Sequence, residues 1–179
     1  MRTLFLAWQS DKSRAWYPVG RLDADVAKEE FIFEYTRGAL AAKHCDGFHP
    51  ISAFPQFKER YESSELFPLF QNRIIDSHRR GFVAYVHSLD MNAASVDPLD
   101  ILAVTGGERQ TDSFEVFPKI EKDKNNGFVC RFFLHGLRHG SPESQSRALA
   151  LMVGEKLGVS QEFNRASQSQ ALKLITLDD

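Results

Sequence analysis

Cysteine is scarce in this chain of 179 residues, which has only Cys45 and Cys130. Two thiols so far apart build no disulfide framework and fit a reducing compartment. Long apolar runs are missing too, and none approaches the roughly 20 residues that a membrane span requires. The opening Met1–Trp8 is apolar but too short for a signal-peptide core, and Asp11 and Lys12 follow closely. The chain therefore reads as soluble and cytoplasmic, with no membrane partner. Charge of one sign is also lacking. Lys and Arg number 22 against 24 Asp and Glu, a net charge of −2, without the overall basic balance of a dedicated DNA binder. Neither a GxxxxGK[ST] nor a GxGxxG loop is present, and no HRD or DFG signature occurs. Nothing in the sequence cradles a nucleotide or positions a metal for phosphoryl transfer. The expectation is a protein that is not an enzyme and uses no cofactor.

Aromatic residues, by contrast, are plentiful at 12%, with 15 Phe. Large rings dominate core and interface energetics, so a compact fold with an adhesive face is expected. The length suffices for one good core, or for two small units sharing one. The first 36 residues read as a three-stranded meander: Thr3–Trp8, Trp16–Leu22, and a third strand in which Phe31, Phe33 and Tyr35 share one face. Pro18 lacks a ladder donor, which places the second strand at a sheet edge open to a partner chain. Gly38–His44 reads as a short helix. An irregular stretch rich in aromatics and prolines follows to Phe70, then helical patterns at Gln71–His78 and Phe82–Leu89.

The most specific stretch is Asp97 to Pro118. Asp97 suits an N-cap, Pro98 the first helical position, and Gly106 a left-handed helix stop. Ser113–Phe117 then alternates like a half-buried strand. Beyond a boundary near residue 120, Asn126-Gly127 signals a tight turn leading into an apolar strand from Phe128. Ser141-Pro142-Glu143 repeats the cap signature of a helix running to Val153, and Leu157–Ser160 and Ala171–Leu177 look like closing strands.

Three groupings offer chemistry. His44, Cys45 and His49 are metal-type donors close together, but a zinc site takes four ligands in defined spacing and no second cluster completes them. They read as a partly buried thiol among solvated histidines. Cys130 alternates within an apolar strand and reads as an inert core thiol rather than a nucleophile paired with a histidine. Arg73, His78, Arg79 and Arg80 form the basic cluster. It either complements a helix C-terminus or contacts phosphate or an acidic partner.

The Asp97–Pro118 stretch, together with Val19-Gly20-Arg21-Leu22, the aromatic strand ending in Tyr35, Pro50-Ile51-Ser52, Phe54-Pro55 and Leu69–Ile75, resembles the N-terminal accessory subdomain of HipA-type toxin kinases. Arg73 stands where that family has an apolar residue, and Ile75 where it has proline. The resemblance implies an α+β fold with a small mixed or antiparallel sheet and short helices over residues 1–120. It also implies a non-catalytic, antitoxin-type subunit that binds a HipA-like serine/threonine kinase on another chain. Candidate partner contacts are Leu66, Phe67, Phe70 and Arg73 in the 61–73 segment, and the strand at 16–22.

Residues 121–179 resemble an incomplete HIRAN domain, a β-rich module of DNA-processing proteins. Phe132–Arg138 matches its opening strand, and Gly154-Glu155-Lys156-Leu157 a later landmark. The family's ligand loop reads Glu162–Ala171 here, without its prolines and aspartate. The alternative function implied is binding to single-stranded DNA ends, with Arg79, Arg80, Arg138, His139, Lys156 and Arg165 as nucleic-acid contacts.

Overall fold

A computed structural model describes residues 1–122 and 128–130. The architecture is α+β, built on a five-stranded, wholly antiparallel sheet. The expected meander forms its centre: β1 (Arg2–Gln9), β2 (Trp16–Asp25) and β3 (Glu30–Tyr35). β4 (Arg60–Ser63) adds to the outer side of β3, and β5 (Phe114–Pro118) to the outer side of β1, giving the order β4-β3-β2-β1-β5. Among the described residues, four short α-helices lie between strands: α1 (Arg37–Asp46), α2 (Pro68–Gln71), α3 (Phe82–Ser88) and α4 (Pro98–Thr105). A separate antiparallel ribbon pairs β6 (Ile120–Lys122) with β7 (Phe128–Cys130). The Asn126-Gly127 turn and the helix and strands read beyond Cys130 fall outside the described residues.

Period-2 patterning gives the sheet two distinct faces. Leu4, Leu6, Leu22, Phe31, Phe33, Tyr35 and Val116 share one, as the register Leu4↔Leu22↔Phe33 and Leu6↔Val116 requires. This is where the aromatic wealth is spent. Phe33 stacks on Phe54 at 3.9 Å between centroids and lies 6.0 Å from Phe70, while Trp8 contacts Phe48. The Tyr35 hydroxyl donates to the Phe54 carbonyl at 2.8 Å and accepts from the Ile51 amide at 2.7 Å. The irregular 48–57 stretch, with Pro50 and Pro55, is thereby tied onto the core without a helix or strand of its own.

Three expectations need correction. β2 is not an edge: β1 and β3 flank it. Pro18 is tolerated because the ladder shifts register between Leu6 and Ala7, a bulge at which a missing donor costs little. On its other side the Pro18 carbonyl accepts from the Thr36 hydroxyl, and Thr36 also caps α1 through the Gly38 amide. The helix expected over Gln71–His78 is instead the single turn α2 followed by turns. Arg73 and Ile74 close three-residue backbone bonds to Phe70 and Gln71, and the Asp76 carboxylate accepts from the His78 amide. β4 was hidden in the aromatic-rich stretch because four residues carry too little alternation to stand out.

The capped helix α4 matches its sequence signature. Asp97 accepts from the Leu99 amide at 2.7 Å, Asp100 closes the capping box, and Gly106 ends the helix at φ 71°. Arg2 on β1 ion-pairs with both Asp97 and Asp100, fastening the helix start to the sheet. Burial raises the Asp100 carboxyl above its ordinary range, against the opposing pull of Arg2.

Gly20 marks the tightest spot in the sheet, because a Cβ there would fall 2.4 Å from the Phe33 ring. Gly20→Val should therefore destabilise the fold by about 1–3 kcal/mol through overpacking, read as a lowered midpoint in urea denaturation. An unchanged midpoint would mean that Phe33 has room to move.

Candidate functional site

Arg73 organises the ground beneath the site. Its side chain is only 1% exposed. One guanidinium nitrogen donates to the Gly107 carbonyl at 2.9 Å and the Phe114 carbonyl at 3.2 Å, and the other pairs with Asp112 at 2.6 Å. A buried cation is retained only where it is paired and hydrogen-bonded in this way. These bonds draw the 66–80 segment against the α4–β5 turn and the outer edge of β5. Phe70, fully buried, fills the space under Phe33.

Above this floor an open cleft of about 1160 Å³ lies between the 66–79 segment, the start of α3 and the N-terminal half of α4. Leu66, Ile74, Ile75, Phe82, Val96 and Ile101 supply its apolar lining. Asp76, His78 and Arg79 form a polar rim. The Asp76 carboxylate accepts from the His78 amide at 2.8 Å, and the His78 ring nitrogen lies 3.1 Å away. These bonds, the backbone one foremost, hold the Asp76 carboxyl below its ordinary range. His78 is almost fully exposed. Arg79 and Arg80 are exposed and make no ion pair among the described residues. A cleft with apolar walls and a polar rim that carries both Asp76 and Arg79 suits an apolar side chain with polar neighbours.

The residues expected to meet a partner divide on this geometry. Leu66 lines the cleft, and Arg79, expected as a nucleic-acid contact, stands on its rim with Arg80 next in sequence. Phe67 is half-buried, with its ring 5.1 Å from Phe54 at its centroid. Phe70 and Arg73 are corrected from surface contacts to internal supports. The chain needs a buried ring under Phe33 and a buried cation for two free carbonyls, and neither demand is visible in local sequence. Arg138, His139, Lys156 and Arg165 lie outside the described residues. Phe82, Val96 and Ile101 were missed as a group because the cleft joins them to Leu66 from 16 to 35 residues away, although Phe82 and Ile101 each lay in a recognised helix.

No group of three or more His, Cys, Asp or Glu among the described residues is arranged to hold a metal ion. Cys45 is exposed rather than partly buried, and β7 ends at Cys130. Neither a known protein family, nor a curated protein, nor a solved structure matches this chain.

Arg73→Met should lower stability by about 2–4 kcal/mol, since it leaves Asp112 and two carbonyls without their cation. Arg73→Lys should restore only part of the loss, because an ammonium cannot reproduce the planar fork. Chemical denaturation of both variants measures this, and a wild-type midpoint for either would contradict the anchoring role.

Proposed function

We propose that this chain is a non-catalytic binding subunit, related to the accessory subdomain of HipA-type kinases, that docks a HipA-like serine/threonine kinase supplied by another chain. The observation that carries this reading is the cleft itself. It has apolar walls and Arg79 on a polar rim, and it is framed by the same Leu69–Ile75 and Asp97–Pro118 stretches that resemble that subdomain. Docking there places an apolar anchor of the kinase against Leu66, Phe82 and Ile101, with acidic neighbours of that anchor facing Arg79 and Arg80. Desolvated apolar anchors ringed by polar contacts are the usual source of interface energy.

A second reading, a nucleic-acid module, draws on the exposed Arg79 and Arg80, which make no ion pair among the described residues. It predicts binding that weakens linearly in log affinity as log salt rises, in proportion to the phosphates contacted.

The test is affinity recovery of the tagged protein from its native cell, beside a Leu66→Ala/Arg79→Glu double variant. A HipA-like kinase should co-elute with the wild type at near-equal amount, and its recovery should fall at least tenfold with the variant at unchanged stability. Recovery of nucleic acid with no such kinase would favour the second reading and overturn the first.

A further inference from the structure

The five-stranded sheet treats its edges differently. On the outer side of β5 the Phe114 carbonyl accepts from Arg73, and the Val116 amide donates to the Gly106 carbonyl at 2.7 Å. The other edge is β4, and the register shows which of its backbone groups face outward. The Thr36 amide donates to the Val19 carbonyl, one step beyond the Tyr35↔Gly20 pair, so that pair is a non-hydrogen-bonded one. Alternation then turns the backbone groups of Glu34 and Ile32 toward β2, and those of Phe33 and Phe31 toward β4. Phe33 and Phe31 face Tyr61 and Ser63, which leaves the N–H and C=O of Arg60 and Glu62 pointing away from the sheet. Among the described residues, no backbone bond reaches those outward groups. The Arg60 and Glu62 side chains are exposed, at 53% and 62%, and pair with each other at 2.8 Å along the strand.

We propose that this edge pairs with the same edge of a second copy, antiparallel about a two-fold axis beside Tyr61. Only residues whose groups point outward can exchange bonds, so Arg60 and Glu62 of one copy must meet outward residues of the other. Registers centred on Arg60 or on Glu62 set like charges directly opposite. The register centred on Tyr61 sets Arg60 opposite Glu62 of the second copy, and Glu62 opposite its Arg60. Each opposed pair exchanges two backbone bonds, so the contact makes four. The two Tyr61 residues form the close, non-hydrogen-bonded pair at its centre. Charge on a short edge strand ordinarily deters pairing. Here the signs alternate so that the strand complements itself and rejects a slipped register, which selects a second copy over an unrelated extended segment. A four-residue strand makes a small contact, so the dimer is weak and concentration-dependent. The proposal is independent of the kinase reading, because the cleft is lined by none of residues 60–63.

Sedimentation velocity of the full-length protein over a concentration series tests it, with the variants Arg60→Glu and Glu62→Arg. Each substitution alone sets like charges opposite in the Tyr61-centred register and should weaken dimerisation roughly tenfold. The urea midpoint at low protein concentration should stay that of the wild type. Mixed in equal amounts, the two variants should dimerise again as a heterodimer, because every opposed pair then carries opposite signs. The Arg60–Glu62 pair within each chain stays broken in that mixture, so recovery reports the contact between copies. A wild type that stays monomeric at its highest soluble concentration, dimers that both single variants leave intact, or a mixture that stays monomeric would each overturn the proposal.

Discussion

The buried Arg73 guanidinium is the interaction on which the functional side of this protein depends. It lies at the junction of three features: the single-turn helix α2, the glycine turn after α4, and the outer edge of β5. One cation satisfies carbonyls from two of them and is neutralised by Asp112. Among the described residues it supplies the hydrogen bonds from the 66–80 segment to β5, so its loss would loosen one wall of the cleft. The same bonds protect an edge. β5 directs its Phe114 carbonyl to Arg73 and its Val116 amide to the Gly106 carbonyl, so two of its outward groups are not free to pair with another strand.

The rest of the core follows from aromatic packing on one sheet face. Phe33 is central, contacted by Phe54, Tyr61, Tyr35 and Phe70, and the missing side chain at Gly20 gives it room. The chain thereby holds long irregular segments without long helices. Tyr35 ties down the 48–57 stretch through two hydrogen bonds, and Arg2 ties down the start of α4 through two carboxylates. Scaffold and cleft are coupled through these few anchors, so loosening the scaffold would reshape the cleft.

Much of this was legible locally. Alternation revealed the meander, and the Asp-Pro start and glycine stop delimited α4 to within a residue, because cap chemistry is written in adjacent positions. Where tertiary demands override local pattern, the reading failed. Pro18 looked like an edge signal until the bulge and Thr36 supplied an interior solution. Gln71–His78 looked helical, but Arg73 turns inward and Asp76 captures the His78 amide, and the segment coils around those bonds. Arg73 is the instructive case. It looked like part of a surface basic cluster, and the fold uses it as a core element, its side chain buried and bonded to Gly107, Phe114 and Asp112. The cleft itself was not legible, since its walls come from separate segments joined only by folding.

Function rests on which side of the sheet faces a partner. The proposed docking site is the cleft formed by 66–79, α3 and α4. Amide hydrogen exchange on the full-length protein, alone and with a purified HipA-like kinase, tests this most directly. Docking at the cleft predicts slowed exchange confined to residues 71–82 and 96–102 on adding the kinase, with exchange in β1 and β5 unchanged. Kinase-dependent protection across β1 and β5, or none at the cleft, would contradict it.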